Sequence, residues 1–82
     1  MVLEIIRTDT FLRTFSRLDS FYINRIEKLI EKIIQNPEIG KPMKYERKGT
    51  REVYLKPFRL SYIYEKSSET LIFLAVYHKK KQ

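Results

Sequence analysis

The sequence predicts an α+β domain: an N-terminal strand, a two-helix hairpin, then a three-stranded antiparallel meander, with the helices on one face of the sheet. Three observations lead there. Residues 51–78 form three runs rich in β-branched and aromatic side chains, joined by connections too short for anything but hairpins. Residues 20–35 repeat apolar side chains at helical spacing and stop at Asn36-Pro37. A short apolar run at 2–8 precedes a second, smaller helical stripe.

Taken in order, residues 2–8 read as a strand with Leu3, Ile5 and Ile6 apolar. Asp9 or Thr10 then offers an N-cap for a helix near 10–18, whose stripe is Phe11, Leu12, Phe15 and Leu18. Asp19-Ser20 is a break and a second cap. In the longer helix, near 20–36, Tyr22, Ile23, Ile26, Leu29, Ile30, Ile33 and Ile34 line one face. Asn24, Arg25, Glu27, Lys28, Glu31 and Lys32 fill the other. That stripe is core, not a cofactor box. Residues 37–50 form a connection with Gly40, Pro42 and Gly49 and the cations Lys41, Lys44, Arg47 and Lys48. Its Pro42-Met-Lys-Tyr45 segment is expected to dock across the sheet with Met43 or Tyr45 turned inward. A connection of this length in a compact domain commonly carries function.

The three C-terminal strands, near 51–56, 58–65 and 70–78, allow register to be worked out from turn symmetry. Closure at residues 66–69 pairs Glu65 with Thr70 and Arg59 with Val76, leaving His78 diagonal to Arg59. Closure at Lys56-Pro57 pairs Tyr54 with Arg59 and Glu52 with Ser61. Because side chains alternate between faces, Glu52, Tyr54, Arg59, Ser61 and His78 should share one side. This polar, titratable cluster is the candidate site. The helices cover the opposite face, so Leu74 and Val76 are expected to be partly exposed on the open one, and Tyr62 and Tyr64 to pack beneath the helices.

Composition bounds the chemistry. Eighty-two residues make one small domain spanning 1–82. A core of that size supplies only about 3–5 kcal/mol, so stability should be modest unless a partner adds to it. The absence of cysteine excludes disulfides and thiolate metal sites, and the single histidine argues against zinc. No cofactor and no metal are expected. Nothing resembles a signal peptide or a membrane span, so a cytoplasmic protein is expected. The net charge is +7. Residues 1–40 carry six basic and six acidic side chains, whereas residues 41–82 carry eleven and four. The whole excess lies in the second half, which calls for a polyanionic partner: nucleic acid, or an acidic protein masking the same surface.

The order Phe11…Leu18, the long helix ending Asn36-Pro37, Gly40-Lys-Pro-Met43, Phe58-Arg-Leu-Ser-Tyr62 and Val76-Tyr-His-Lys79 resembles the RelE/ParE toxin superfamily of type II toxin–antitoxin systems. The resemblance covers nearly the whole chain. It implies a small ribonuclease that cuts mRNA in the ribosomal A site, with an acidic cognate antitoxin that wraps and blocks it. Heterotetramers of toxin and antitoxin are among the assemblies it allows. The ParE branch shares the fold but poisons DNA gyrase. By this resemblance Arg59 takes the arginine position of the family's aromatic-Arg strand, with Phe58 in place of Tyr, and His78-Lys79 takes the terminal basic pair. Glu52 and Tyr54 stand where the family carries basic residues, and the family's Tyr several residues beyond the terminal pair has no counterpart here.

RNA cleavage through 2′-OH attack needs a base, a cation beside the crowded phosphate, and an acid for the 5′-oxygen. The forked Arg59 suits the phosphate. His78 suits either proton transfer, Glu52 suits the base, and Lys79, crowded by Lys80, Lys81 and His78, suits a proton-shuttling role. Lys44, Lys48, Arg51, Lys56, Lys80 and Lys81 are expected to bind RNA phosphates, and Tyr54 and Tyr77 to stack on bases. The plainer alternatives are that Arg59 only pairs with Glu52, that His78 is a surface residue and that Lys79-Lys-Lys81 is a solvated tail. The competing function is a non-catalytic binding module on the same fold, directed at gyrase or only at its antitoxin.

Overall fold

The computed structural model describes residues 1–81, with Lys81 described by its backbone alone. The chain runs β1 (Glu4–Arg7), α1 (Asp9–Phe15), α2 (Ser20–Gln35), β2 (Lys41–Pro42), β3 (Arg51–Leu55), β4 (Phe58–Glu65) and β5 (Thr70–His78), with 3₁₀ turns at Tyr45–Arg47 and Lys79–Lys81. The sheet order is β1-β5-β4-β3-β2, antiparallel except where β1 runs parallel to β5. This is the expected α+β fold with one strand more. Lys41 and Pro42 pair with Glu52 and Arg51, so the connection begins as a short edge strand. Proline is tolerated there because an edge leaves one side of the backbone without a partner.

Local chemistry explains both helix starts. Asp19 caps α2 by accepting from the Tyr22 amide at 3.2 Å. The cap of α1 is Thr8, not Asp9 or Thr10: its hydroxyl accepts from the Phe11 amide at 3.1 Å. Asp9 becomes the first helical residue, where a negative charge suits the positive end of the helix. α1 stops at Phe15, and Ser16–Leu18 form a turn rather than more helix.

Both helices lie on one face of the sheet. Phe11, Ile26, Ile30 and Ile33 meet Leu60, Tyr62, Leu71, Phe73 and Val76 in a single core. Phe73 anchors it, with ring centroids 5.9 Å from Phe11 and 6.0 Å from Tyr62. Each such large apolar group contributes about 1.5–3 kcal/mol by leaving water. Tyr62 also reaches beyond the core. Its hydroxyl donates to the Pro37 carbonyl at 2.8 Å and accepts from the Gly40 amide at 2.9 Å. A Cβ at residue 40 would lie 2.7 Å from that hydroxyl oxygen, so glycine is required for the approach. Burial pushes the Tyr62 phenol above its usual range, partly offset by the Gly40 hydrogen bond.

The register of β3 with β4 is the expected one, with Glu52 opposite Ser61 and Tyr54 opposite Arg59. That of β4 with β5 agrees from Glu65–Thr70 to Tyr62–Phe73 and then slips: Ser61 pairs with Ala75, Arg59 with Tyr77 and Phe58 with His78. Leu74 is the extra residue of a β-bulge. The reason is packing. Leu71 and Phe73 face the helices on odd positions, and the bulge switches parity so that Val76 reaches the same core. Val76 is therefore buried, contrary to expectation, and Leu74 is half-buried. The Leu74 carbonyl accepts from the Thr8 hydroxyl at 2.8 Å, which ties the bulge to the cap of α1. Among the described residues, no helix is long and apolar enough to cross a membrane.

Candidate functional site

The open face of the sheet gathers the polar cluster at the β3–β4–β5 end, with one exchange. Glu52, Tyr54, Arg59 and Ser61 share that face as the pairing requires, but the bulge places Tyr77 opposite Arg59, where Val76 was expected, and carries His78 off that face. His78 lies across from Phe58 on the helix-covered side, its ring 5.7 Å from that of Phe58 and nearly perpendicular to it. Its Nδ1 accepts from the Lys80 amide at 3.2 Å.

Glu52 is the centre of the cluster. It sits in mid-strand with its side chain 5 % exposed. One carboxylate oxygen accepts from Arg59 Nη1 at 3.3 Å; the other accepts from Arg47 Nη1 at 2.9 Å and from the Tyr77 hydroxyl through a short hydrogen bond. Arg47 also donates to the Tyr77 oxygen at 3.2 Å. A carboxylate withdrawn from water needs such partners, and here two cations and a phenol supply them. Tyr77 responds electrostatically: burial first, then the Glu52 hydrogen bond, raise its pKa, outweighing the opposing influence of Arg47. The Arg47 guanidinium is held charged by Tyr77 first and Glu52 second. Two arginines against one carboxylate leave a net positive centre. Within it, Arg59 Nε is buried without a hydrogen-bond partner among the described residues.

A cavity of about 300 Å³ opens beside this centre, lined by Lys41, Met43, Glu52, Val53, Tyr54, Arg59 and Lys79. The Lys79 ammonium lies 5.2 Å from the centre of the Tyr54 ring, and Tyr54 is half exposed. The geometry suits an anion the size of a phosphate with an attached ring. The cations converge, a donor is left over, and an aromatic and a thioether supply flat and adaptable surface.

The remaining expected residues divide. Lys44, Lys48, Lys56 and Lys80 are exposed at loops and the chain end, outside the cavity. The side chain of Lys81 lies outside the described residues. Arg51 is occupied in the structure: it donates to the carbonyls of Glu38 and Gly40 at 3.0 and 2.8 Å, clamping the connection. Of the two residues expected to offer an inward side chain, Met43 is the one that lies beside the sheet, and Tyr45 is 90 % exposed. Two participants, Arg47 and Lys41, were visible in the sequence only as members of a basic connection. Among the described residues, no group of three or more acidic or imidazole side chains converges as a metal site would require.

A family model described as the ParE toxin of type II toxin–antitoxin systems, parDE, matches residues 5–82. No curated protein matches the sequence. Among solved structures, a chain of the toxin–antitoxin complex RelBE2 from Mycobacterium tuberculosis superposes with a TM-score of 0.85 at 22 % identity, over 95 % of this chain and 99 % of that one. The YoeB/ParE toxin from Agrobacterium tumefaciens gives 0.82 at 18 %, covering 93 % and 98 %. The isolated E. coli RelE toxin gives 0.80 at 14 %, covering 95 % and 85 %. At these identities the superpositions establish a common fold.

Proposed function

The chain belongs to the ParE toxin family of type II toxin–antitoxin systems, and we propose that it acts on translation, as a ribosome-dependent mRNA endonuclease held in check by an acidic antitoxin. The observation that carries this reading is the pairing of Glu52 with Arg59 beside a cationic cavity that Arg59 lines, its Nε without a partner among the described residues. In the free protein Glu52 occupies the two guanidinium groups. An RNA phosphate arriving in the cavity replaces it on Arg59 and gives Arg59 Nε an acceptor. Glu52 is thereby released to take the proton from the 2′-hydroxyl. The 2′-oxygen forms a bond to phosphorus, the bond from phosphorus to the 5′-oxygen breaks, and the products are a 2′,3′-cyclic phosphate and a 5′-hydroxyl. Lys79, at the cavity rim, donates the proton to the leaving oxygen. Tyr77 keeps its own proton, engaged on Glu52, and acts as a positioning residue. His78 takes no part in this scheme, because it projects to the other side of the sheet. In this reading Arg51 clamps the connection, and Lys44, Lys48, Lys56 and Lys80 track RNA phosphates.

Single-turnover cleavage on programmed ribosomes tests the scheme. Arg59→Ala should slow cleavage roughly 10²–10³-fold, the loss seen when one transition-state donor is removed. His78→Ala should cut at the parental rate. Equal rates for Arg59→Ala and the parent would refute the assignment. The matching family model is described as a ParE toxin, and the second reading is the one expected of that branch, a non-catalytic toxin directed at DNA gyrase. Growth arrest by the parent with mRNA left intact would establish that one instead.

A further inference from the structure

Tyr45 has no task in the site just described, yet it is presented with care. Its ring is 90 % exposed and its backbone lies at φ 59, a left-handed conformation that residues bearing a side chain seldom adopt. A ring so exposed gains almost nothing from packing, so the strain is sustained by its surroundings. The turn is closed by the Lys48 amide to the Tyr45 carbonyl at 3.0 Å and by the Thr50 amide and hydroxyl to the Arg47 carbonyl at 3.0 and 2.8 Å. The Met43 amide donates to the Thr50 carbonyl at 3.0 Å, and the Arg47 side chain is latched to Glu52. The ring is therefore held out from a braced turn.

Charge along this segment is mostly positive. Residues 41–51 carry five basic side chains and a single acid, Glu46. Arg47 and Arg51 are spent on internal partners, which leaves Lys41, Lys44 and Lys48 exposed, the last two flanking Tyr45 along the chain. An open aromatic face between free cations is what sequence-tolerant binding of unpaired nucleotides requires: every base offers a π-face, and ammonium groups follow the phosphates. An acidic peptide would be drawn by the same lysines but would leave the ring face unused.

We propose that Tyr45, flanked by Lys44 and Lys48, is a stacking site for one unpaired base of a single-stranded nucleic acid, adjacent to the Glu52–Arg59 cavity and separate from it. The site extends the nuclease reading by saying where a strand is gripped, but it does not depend on any bond being cut. A ten-nucleotide 2′-O-methyl RNA of mixed sequence is the probe, because without a 2′-hydroxyl it binds with cleavage silent. With the full-length chain, Tyr45→Ala should weaken its binding roughly 5- to 150-fold, the loss of one stacked base, at an unchanged melting temperature. Tyr45→Phe should stay within about twofold of the parent, since stacking needs the ring and not the hydroxyl. Lys44→Ala and Lys48→Ala should each reduce the slope of log affinity against log salt by about 0.7, whereas Tyr45→Ala should leave that slope alone. The proposal is overturned if the parent does not bind the oligonucleotide, if Tyr45→Ala binds as well as the parent, or if Tyr45→Phe is as weak as Tyr45→Ala. It is also overturned if Tyr45→Ala spares the oligonucleotide and weakens binding of a glutamate-rich peptide instead. A parent that cuts mRNA while Tyr45→Ala binds normally refutes this site alone. A parent that never cuts but shows Tyr45-dependent binding refutes the nuclease reading alone.

Discussion

The two faces of the sheet are built from alternate residues of the same three strands, and they solve opposite problems. On the covered face, Leu60, Tyr62, Phe73 and Val76 are sealed under α1 and α2, and the one polar group among them, the Tyr62 hydroxyl, has both a donor and an acceptor. On the open face, Glu52 is almost as withdrawn from water, but its neighbours are charged and one donor, Arg59 Nε, is left over. Among the described residues, no buried side-chain polar atom of the covered face lacks a partner, as a core requires. The open face carries an unmet hydrogen-bonding demand, and such a demand is what a ligand answers. A structural element and a site can thus occupy one strand, separated by the thickness of the backbone.

The comparison can be broken most forcefully on the covered face. Phe73→Ala should cost about 3–5 kcal/mol of stability in urea unfolding, through the cavity it leaves beside Phe11 and Tyr62. Its neighbour Ile72, half-buried on the open face, should cost less than half as much when changed to Ala. Equal losses would mean that the two faces are not energetically distinct. On the open face Glu52→Gln should have an effect of similar size in a different observable. If Glu52 is the base, cleavage should fall roughly 10²–10⁴-fold, while stability changes by about 1 kcal/mol because both arginine partners are partly exposed. A melting temperature that collapses without loss of cleavage would reverse the assignment.

Tyr62→Phe should come next, at about 1–3 kcal/mol, since it leaves the Gly40 amide and Pro37 carbonyl without their partner. The pH dependence sharpens the point. The Tyr62 and Tyr77 phenols both have raised folded-state pKa values, so the fold holds its protons while the unfolded chain begins to lose them near the ordinary tyrosine value of about 10. Their contribution is complete below that pH and is lost as pH rises through the folded values, so stability should decline on the alkaline side. Replacing either tyrosine by Phe should flatten that decline; an unchanged alkaline limb in both variants would contradict the assignment. The smallest effect expected is that of Thr8→Val, about 1 kcal/mol by thermal or urea unfolding, because it removes the cap of α1 and the donor to the bulge carbonyl together. A loss within error of zero would show that the bulge holds without it.

Much of this was legible in the residues. α2 could be read because its stripe is long and its ends carry Asp19 and Asn36-Pro37. Tyr54 opposite Arg59 could be read because a two-residue turn leaves no freedom of register. The slip in β5 could not. Thr70-Leu-Ile-Phe-Leu-Ala-Val-Tyr-His78 is apolar on both faces, so no alternation marks where parity changes. That single residue, Leu74, exchanged Tyr77 for His78 in the candidate site. Arg47 was hidden for another reason: its role depends on a turn that folds back over the sheet, and neighbouring basic residues look alike until that fold is known.

The position of β5 has a consequence in time. It lies between β1 and β4, so the strand that completes the sheet is made after all the others. While the ribosome is still adding residues before 70, β1 has no neighbour, and Ile26, Ile30 and Ile33 lack Leu71, Phe73 and Val76 from their core. Contacts spanning 66 residues, such as that from Thr8 to Leu74, close only when synthesis reaches them. Until β5 is made, the nascent chain therefore carries neither a finished core nor a finished cluster around Glu52, because Tyr77 belongs to that strand. A cluster built this way is assembled late: the ribosome that makes it has translated through residue 77 before the cluster exists.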